Sequence, residues 1–117
     1  MELARVDDDR LPTEFWVMAH VRRCNGAGVP AMVVRRGDAS RGTVLLKLNL
    51  LASGCRLLAQ ARDGEGAMGW MAALKGELVP EQEADAYIAR AIDRDPDLWV
   101  IEIEHREGWH PFDGPIL

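Results

Sequence analysis

Two periods alternate along this chain. From Val44 to Leu50 the residues read as an extended segment, with Val44, Leu46, Leu48 and Leu50 on one side and Leu45, Lys47 and Asn49 on the other. The next extended run repeats the alternation, Cys55, Leu57, Ala59 and Ala61 against Arg56, Leu58, Gln60 and Arg62. Closing the hairpin through Ser53-Gly54, or through Leu51 to Gly54, sets apolar against apolar, which predicts one core face and one mixed face. Asp63-Gly64-Glu65-Gly66 turns into a further strand around Met68 to Leu74, and Pro30 opens another over Ala31 to Arg36.

Elsewhere the period is helical. Thr13 has the chemistry of an N-cap for a helix over 13–25 that carries Phe15, Val17, Met18, Val21 and Cys24 inward, with Asn25-Gly26 as its stop. Pro80 suits a first helical position and Glu81 and Glu83 load the first turn with favourable negative charge. Ala84, Tyr87, Ile88, Ala91 and Ile92 then form the apolar stripe of a helix over 80–93. Pro96 forbids continuation, and Leu98 to Ile103 run apolar and β-branched.

The order helix, meander, helix, final strand predicts a single α+β domain with a predominantly antiparallel sheet and both helices on one face. Residues 1–11 read as a flexible polar leader, 12–108 as the domain, and 109–117 as an irregular tail across the surface. On that plan the uncovered sheet face carries Leu45, Leu58, Leu98 and Val100 among its charges. It predicts a weak homodimer through that mixed face or through an edge strand, with Pro30 and Lys47 as partial blocks.

Composition narrows the function classes. A net charge of −5 opposes broad attraction to nucleic acid or to an anionic membrane surface. The best apolar stretch, Thr43 to Ala52, is broken by Lys47 and Asn49, so no segment can span a bilayer. Cys24 and Cys55 have no metal-type spacing and read as two reduced thiols, which predicts a cytoplasmic protein. GxSxG, HExxH, CxxC and GxGxxG are all missing, which speaks against an enzyme, and no cofactor is called for.

Three constellations carry candidate chemistry. Arg35, Arg36 and Arg41 flank a loop with glycines at its ends, Gly37 and Gly42, which suits a phosphate or carboxylate, although Asp38 lowers that affinity and can cap the turn instead. Arg62 and Trp70 are further ligand-binding candidates. Glu102 and Glu104 project from one strand face with His105 following, a set able to do acid–base work if burial shifts it, or else to form surface ion pairs with Lys47, Arg56 and Arg62. His105 and His110 with Glu104 or Asp113 fall short of a zinc set, because no cysteine lies near, so no metal site is assigned. Of four tryptophans, Trp16 and Trp99 are assigned to the core, while Trp70 and Trp109 are open to a groove or partner surface.

The segments LPTEFWVMAHVRRC, VVRRGDASRGTVLLKLN, QARDGEG with GWM, and EADAYIARAIDRDPDLWVIEIEHREG resemble the bacterial domain-of-unknown-function family 1491 over roughly Leu11 to Gly108. The DPDLWV run and the glutamates after it are the most specific part. The resemblance implies a stand-alone cytosolic domain and supplies no reaction, ligand or catalytic residue. The sequence therefore favours a non-catalytic binding or interaction module. A small enzyme using Glu102, Glu104 and His105 is the alternative, and an anion or nucleic-acid binder through Arg35, Arg36 and Arg41 the second.

Overall fold

The central hairpin decides the architecture. In the computed structural model, which describes residues 11–117, strands β2 (Val44–Asn49) and β3 (Cys55–Arg62) pair antiparallel with Asn49 opposite Cys55 and Leu46 opposite Leu58. The connection is five residues, one longer than the longer loop expected. Asn49 Oδ1 accepts from the Leu51 N–H at 2.8 Å, Leu51 takes a left-handed φ of 63°, and a single 3₁₀ turn spans Leu51–Ser53. One residue of slip exchanges the faces of a strand. The apolar row of β2 (Val44, Leu46, Leu48) therefore lies beside the mixed row of β3, and Leu45 and Lys47 lie beside Ala59 and Leu57. Both faces of the sheet are half apolar, and both need a cover.

Each receives one. Helix α1 (Thr13–Gly26) sets Trp16, Val17, Val21 and Cys24 against Leu46, Leu48, Leu58, Ile101 and Ile103. Helix α2 (Glu81–Arg94) sets Ala84 and Ile88 against Leu45, Leu57 and Val100 on the opposite face. The helices thus sandwich the sheet instead of sharing a side. Leu45, Leu58, Leu98 and Val100, expected on an open face, are all buried, Leu58 on the α1 side and the others under α2, so these four residues are not available as a dimer contact. Phe15, expected inside, is 63% exposed, since it sits some 200° around the helix from Val17.

The sheet is mixed. Its order is β1-β5-β2-β3-β4, with β1 (Ala31–Arg35), β4 (Met68–Ala72) and β5 (Trp99–Glu104) completing the set. Three pairs are antiparallel, but β5 enters between β1 and β2 and runs parallel to β2. The long return through α2 permits this, as a helical crossover can bring a strand back in the same direction. Only β2 to β4 form the expected meander.

The helix ends differ in detail from expectation. Thr13 is the first helical residue and not the cap; Pro12 precedes it, and the Thr13 hydroxyl donates to the Gly42 carbonyl at 3.0 Å. Pro80 likewise stands one position before α2. The segment after Gly108 has no regular element, yet it is anchored. Phe112 is buried, the Trp70 N–H donates to the Pro115 carbonyl at 2.8 Å, and the Leu117 N–H donates to the Trp70 carbonyl at 2.8 Å. The leader assigned to residues 1–11 falls almost wholly outside the described residues.

Candidate functional site

The densest polar cluster lies where α2 begins. Lys47 projects from the centre of β2, almost wholly buried, and its ammonium donates to Glu81 Oε2 at 2.7 Å and Asp85 Oδ1 at 2.8 Å, with Glu102 Oε1 at 3.6 Å. Glu81 and Asp85 stand one turn apart on α2, and Glu102 is Lys47's register partner on β5. Asn49 Nδ2 completes the set by donating to Glu102 Oε2 at 3.0 Å. Burial alone would lower the lysine pKa. The hydrogen bonds to Asp85 and Glu81, with the charge of Glu102, outweigh it and hold the ammonium well above its ordinary range. A lysine fixed in its charged state is neither a base nor a nucleophile at neutral pH. This cluster clamps α2 to the sheet.

The sequence signalled this site weakly. The sequence places Lys47 on the mixed face with Glu102 as an ion-pair partner, but puts Glu81 and Asp85 on a helix on the other side. The usable signal was the i, i+4 pair Glu81 and Asp85 opposite a lone lysine in an apolar strand.

Glu102, Glu104 and His105 do not assemble. Glu102 belongs to the lysine cluster and Glu104 is exposed. His105 Nδ1 accepts from the Glu107 N–H at 3.0 Å and weakly from the Trp109 N–H at 3.4 Å, fixing the turn that follows β5. His110 Nδ1 similarly accepts from the Phe112 N–H at 3.2 Å. Among the described residues no group of three or more His, Cys, Asp or Glu could hold a metal ion.

The arginine loop is closed on itself. Arg36 pairs with Glu14 and lies over the Trp99 ring, 5.1 Å from its centroid, while Arg35 donates to the carbonyls of Arg36 and Leu98. Asp38 Oδ2 accepts from the amides of Ser40 and Arg41, and the Asp38 carbonyl accepts from Trp99 Nε1 at 2.8 Å. The first amides of α1 donate to the carbonyls of Ser40 and Ala39, so that helix end is satisfied as well. Gly37 and Gly42 are required by contact: a Cβ would meet the Asp97 carbonyl oxygen at 2.1 Å and 2.3 Å respectively. VVRRGDASRG and DPDLWV, far apart in sequence, thus form one interlocked unit.

Trp70 cannot join it. β1 and β4 are the two sheet edges, about 19 Å apart at ~4.8 Å per strand. Trp70 is fully buried, stacked on Trp16 at 6.4 Å, and its Nε1 donates to the Asp113 carbonyl at 2.9 Å. Arg62 donates to the Gly66 carbonyl at 2.8 Å in the β3–β4 turn. Trp16 and Trp99 are in the core as expected, and Trp109 is 38% exposed. A cleft of about 170 Å³ between α2 and β3, lined by Tyr87, Ala91, Arg94, Ala59 and Gln60, is well below the ~300 Å³ at which ordinary ligand pockets begin.

Apolar side chains remain outward on both edge strands, singly on β4 at Met71, 55% exposed, and as a pair on β1. Met32 is 59% and Val34 50% exposed on the α2 side, beyond the reach of that helix. The strand's own edge is protected. Pro30 has no N–H, Asn25 pairs with both backbone groups of Ala31 at 3.2 Å, and the register shifts between Val33 and Arg35.

The model for the family described as "Protein of unknown function (DUF1491)" matches residues 11–113. The chain belongs to the DUF1491 family. A crystal structure of a DUF1491 family protein from Caulobacter crescentus CB15, at 1.87 Å resolution, has a TM-score of 0.82 and 40% identity, over 92% of this chain and 99% of that one. An NMR structure of a DUF1491 family protein from the same bacterium has a TM-score of 0.80 and 39% identity, covering 92% and 97%. The solution structure of protein Atu0922 from A. tumefaciens follows at 0.68 and 29%, covering 82% and 86%. No curated protein matches. The family match includes His110 and Phe112, beyond the Gly108 limit of the sequence resemblance. No helix among the described residues is long and apolar enough to cross a membrane.

Proposed function

We propose that this DUF1491 protein is a non-catalytic interaction module of the cytoplasm. One observation carries the reading: Lys47, Glu102, His105, Arg35 and Arg36 are held by partners within the chain and do not converge on a cleft, while Met32 and Val34 on β1 face outward with none. Active sites usually place perturbed groups in a cleft. Here the strongly shifted group, Lys47, is locked charged beneath a helix, and Glu102 and His105 serve separate contacts. Two free, buried thiols, Cys24 and Cys55, suit a reducing compartment.

Site-specific photo-crosslinking in cells tests this. A crosslinking amino acid at position 32 or 34 is expected to trap a defined partner that re-forms the complex from purified components, while one at Glu65, in the β3–β4 turn, traps none. Absence of crosslinks at every exposed position, together with a turnover lost on Glu102→Gln or His105→Gln, would overturn the reading in favour of an enzyme.

A further inference from the structure

Met32 and Val34 do not stand alone. Met32 is the register partner of Glu102, so on the α2 side of the sheet the apolar pair borders Glu102 and, two residues along β5, the exposed Glu104. The far side of this shelf is the flank of α2 that carries Glu81 and Asp85. The opposite flank, with Tyr87, Ala91 and Arg94, faces β3. Three carboxylates, Glu81, Asp85 and Glu102, thus surround one buried ammonium, Lys47, and the exposed Glu104 adds a fourth negative charge on the same sheet face. At the other end of β1, Arg36 is paired with Glu14 and lies over Trp99, while Arg35 keeps its charge but donates to backbone carbonyls at the end of the strand away from Glu104.

We propose that this shelf receives a basic, apolar-faced segment of a partner protein. Apolar side chains of that segment would cover Met32 and Val34, and its lysines or arginines would meet Glu81, Asp85 and Glu104, which are exposed and carry the surplus negative charge. Complementary potential of this kind sets partner choice and association rate. A second copy of this chain is the poorer occupant, because two such shelves face to face would bring carboxylates against carboxylates in a molecule of net charge −5. Strand addition is also disfavoured, since Asn25 and the irregular register occupy the β1 edge. The partner therefore docks on the face of β1, through side chains.

This inference rests on the interaction-module reading and is tested with the purified full chain, using amide chemical shifts. The probe is a short amphipathic Leu/Lys peptide, with its Leu/Glu counterpart as control. The Leu/Lys peptide is expected to shift residues 32–34, 81–85 and 102–104 saturably, and to bind about tenfold more weakly in Met32→Ser, Val34→Ser or Glu104→Gln or as salt is raised. Glu65→Gln is expected to change nothing. All three variants alter exposed side chains, so the fold is retained. Shifts scattered over the surface, equal binding of the Leu/Glu peptide, or indifference to the variants would overturn the proposal. So would concentration-dependent shifts at β1 without peptide, which would make a second copy the occupant. A crosslinked partner at position 32 whose contacting segment is acidic or neutral would overturn the basic class alone and leave the module standing.

Discussion

The two faces of one sheet are held by different physics. Under α1 the contact is dry and aromatic: Trp16, Trp70 and Phe112 meet at centroid distances of 5.2 to 6.4 Å, with His20 stacked on Phe112 at 4.4 Å. Under α2 a smaller apolar cluster, with Ala84 and Ile88 as its buried helical members, is supplemented by an ion cluster around Lys47. The first face depends on volume and shape, so it should fail by cavity formation. The second depends on charge state, so it should fail by titration or by removal of one partner.

The sharpest way to separate them is by substitution. Trp70→Ala should cost about 3–5 kcal/mol by opening a cavity in the aromatic face, and it also removes the donor to Asp113. Urea unfolding reads this directly, and a loss below 1 kcal/mol would mean that the aromatic stack is not a core. Gly37→Ala should cost about 2 kcal/mol, because its Cβ must displace the Asp97 carbonyl under Trp99, whereas Gly64→Ala should stay within about 0.5 kcal/mol, having open space around it.

On the α2 face, Lys47→Met should cost about 1–3 kcal/mol, less than a wholly buried pair would, since Glu81 and Asp85 can return to water. Its pH signature is the more telling measurement. The folded-state pKa of Lys47 is raised above 10.5, so its stabilisation is fully present below that pH and declines only as pH rises through the folded value. The gap between wild type and Lys47→Met should therefore stay flat from neutral pH up to about 10. A gap that closes in that interval would show the lysine to be depressed instead.

The smallest effect belongs to the aromatic face. Burial, and then the neighbouring His20, hold the His110 pKa below its ordinary 6.5. Its neutral form is the one the fold prefers, so stability is lost as pH falls below about 6.5. The melting temperature of the wild type should fall more between pH 7 and 5 than that of His110→Gln, by less than any substitution above. Equal falls would place the acid sensitivity elsewhere.

The elements were legible because their signals are local. Thr13 with Asn25-Gly26, and Pro80 with Pro96, bracket the two helices, and period-two alternation marks β2 and β3. What was not legible turns on single-residue geometry. The face assignment reversed because Leu51 accepts a left-handed conformation held by Asn49, which adds one residue to the loop and exchanges the rows of β3 relative to β2. Once both faces are half apolar, helices on opposite sides follow. The seat of β5 was hidden because the apolar run Leu98 to Ile101 reads equally well beside an antiparallel or a parallel neighbour. Phe112 was assigned to a surface tail because a single aromatic in a Pro- and Gly-rich stretch has no period to betray its burial. At the site, of the two readings of Glu102, proton transfer with His105 or an ion pair with Lys47, the structure shows the ion pair.

The late insertion of β5 has a consequence for synthesis on the ribosome. When β1 to β4 have emerged, only β2, β3 and β4 have neighbours to pair with; β1 must wait about seventy residues for Ile103 to pair with Ala31. Until then the apolar β2 presents an open edge, the most aggregation-prone feature a sheet can have. The last strand enters the middle of the sheet and closes both gaps at once. A chain that stalls before Trp99 is thus left with an unpaired, adhesive strand that chaperones and proteases can recognise, and completion of the sheet reports that translation of the domain has finished.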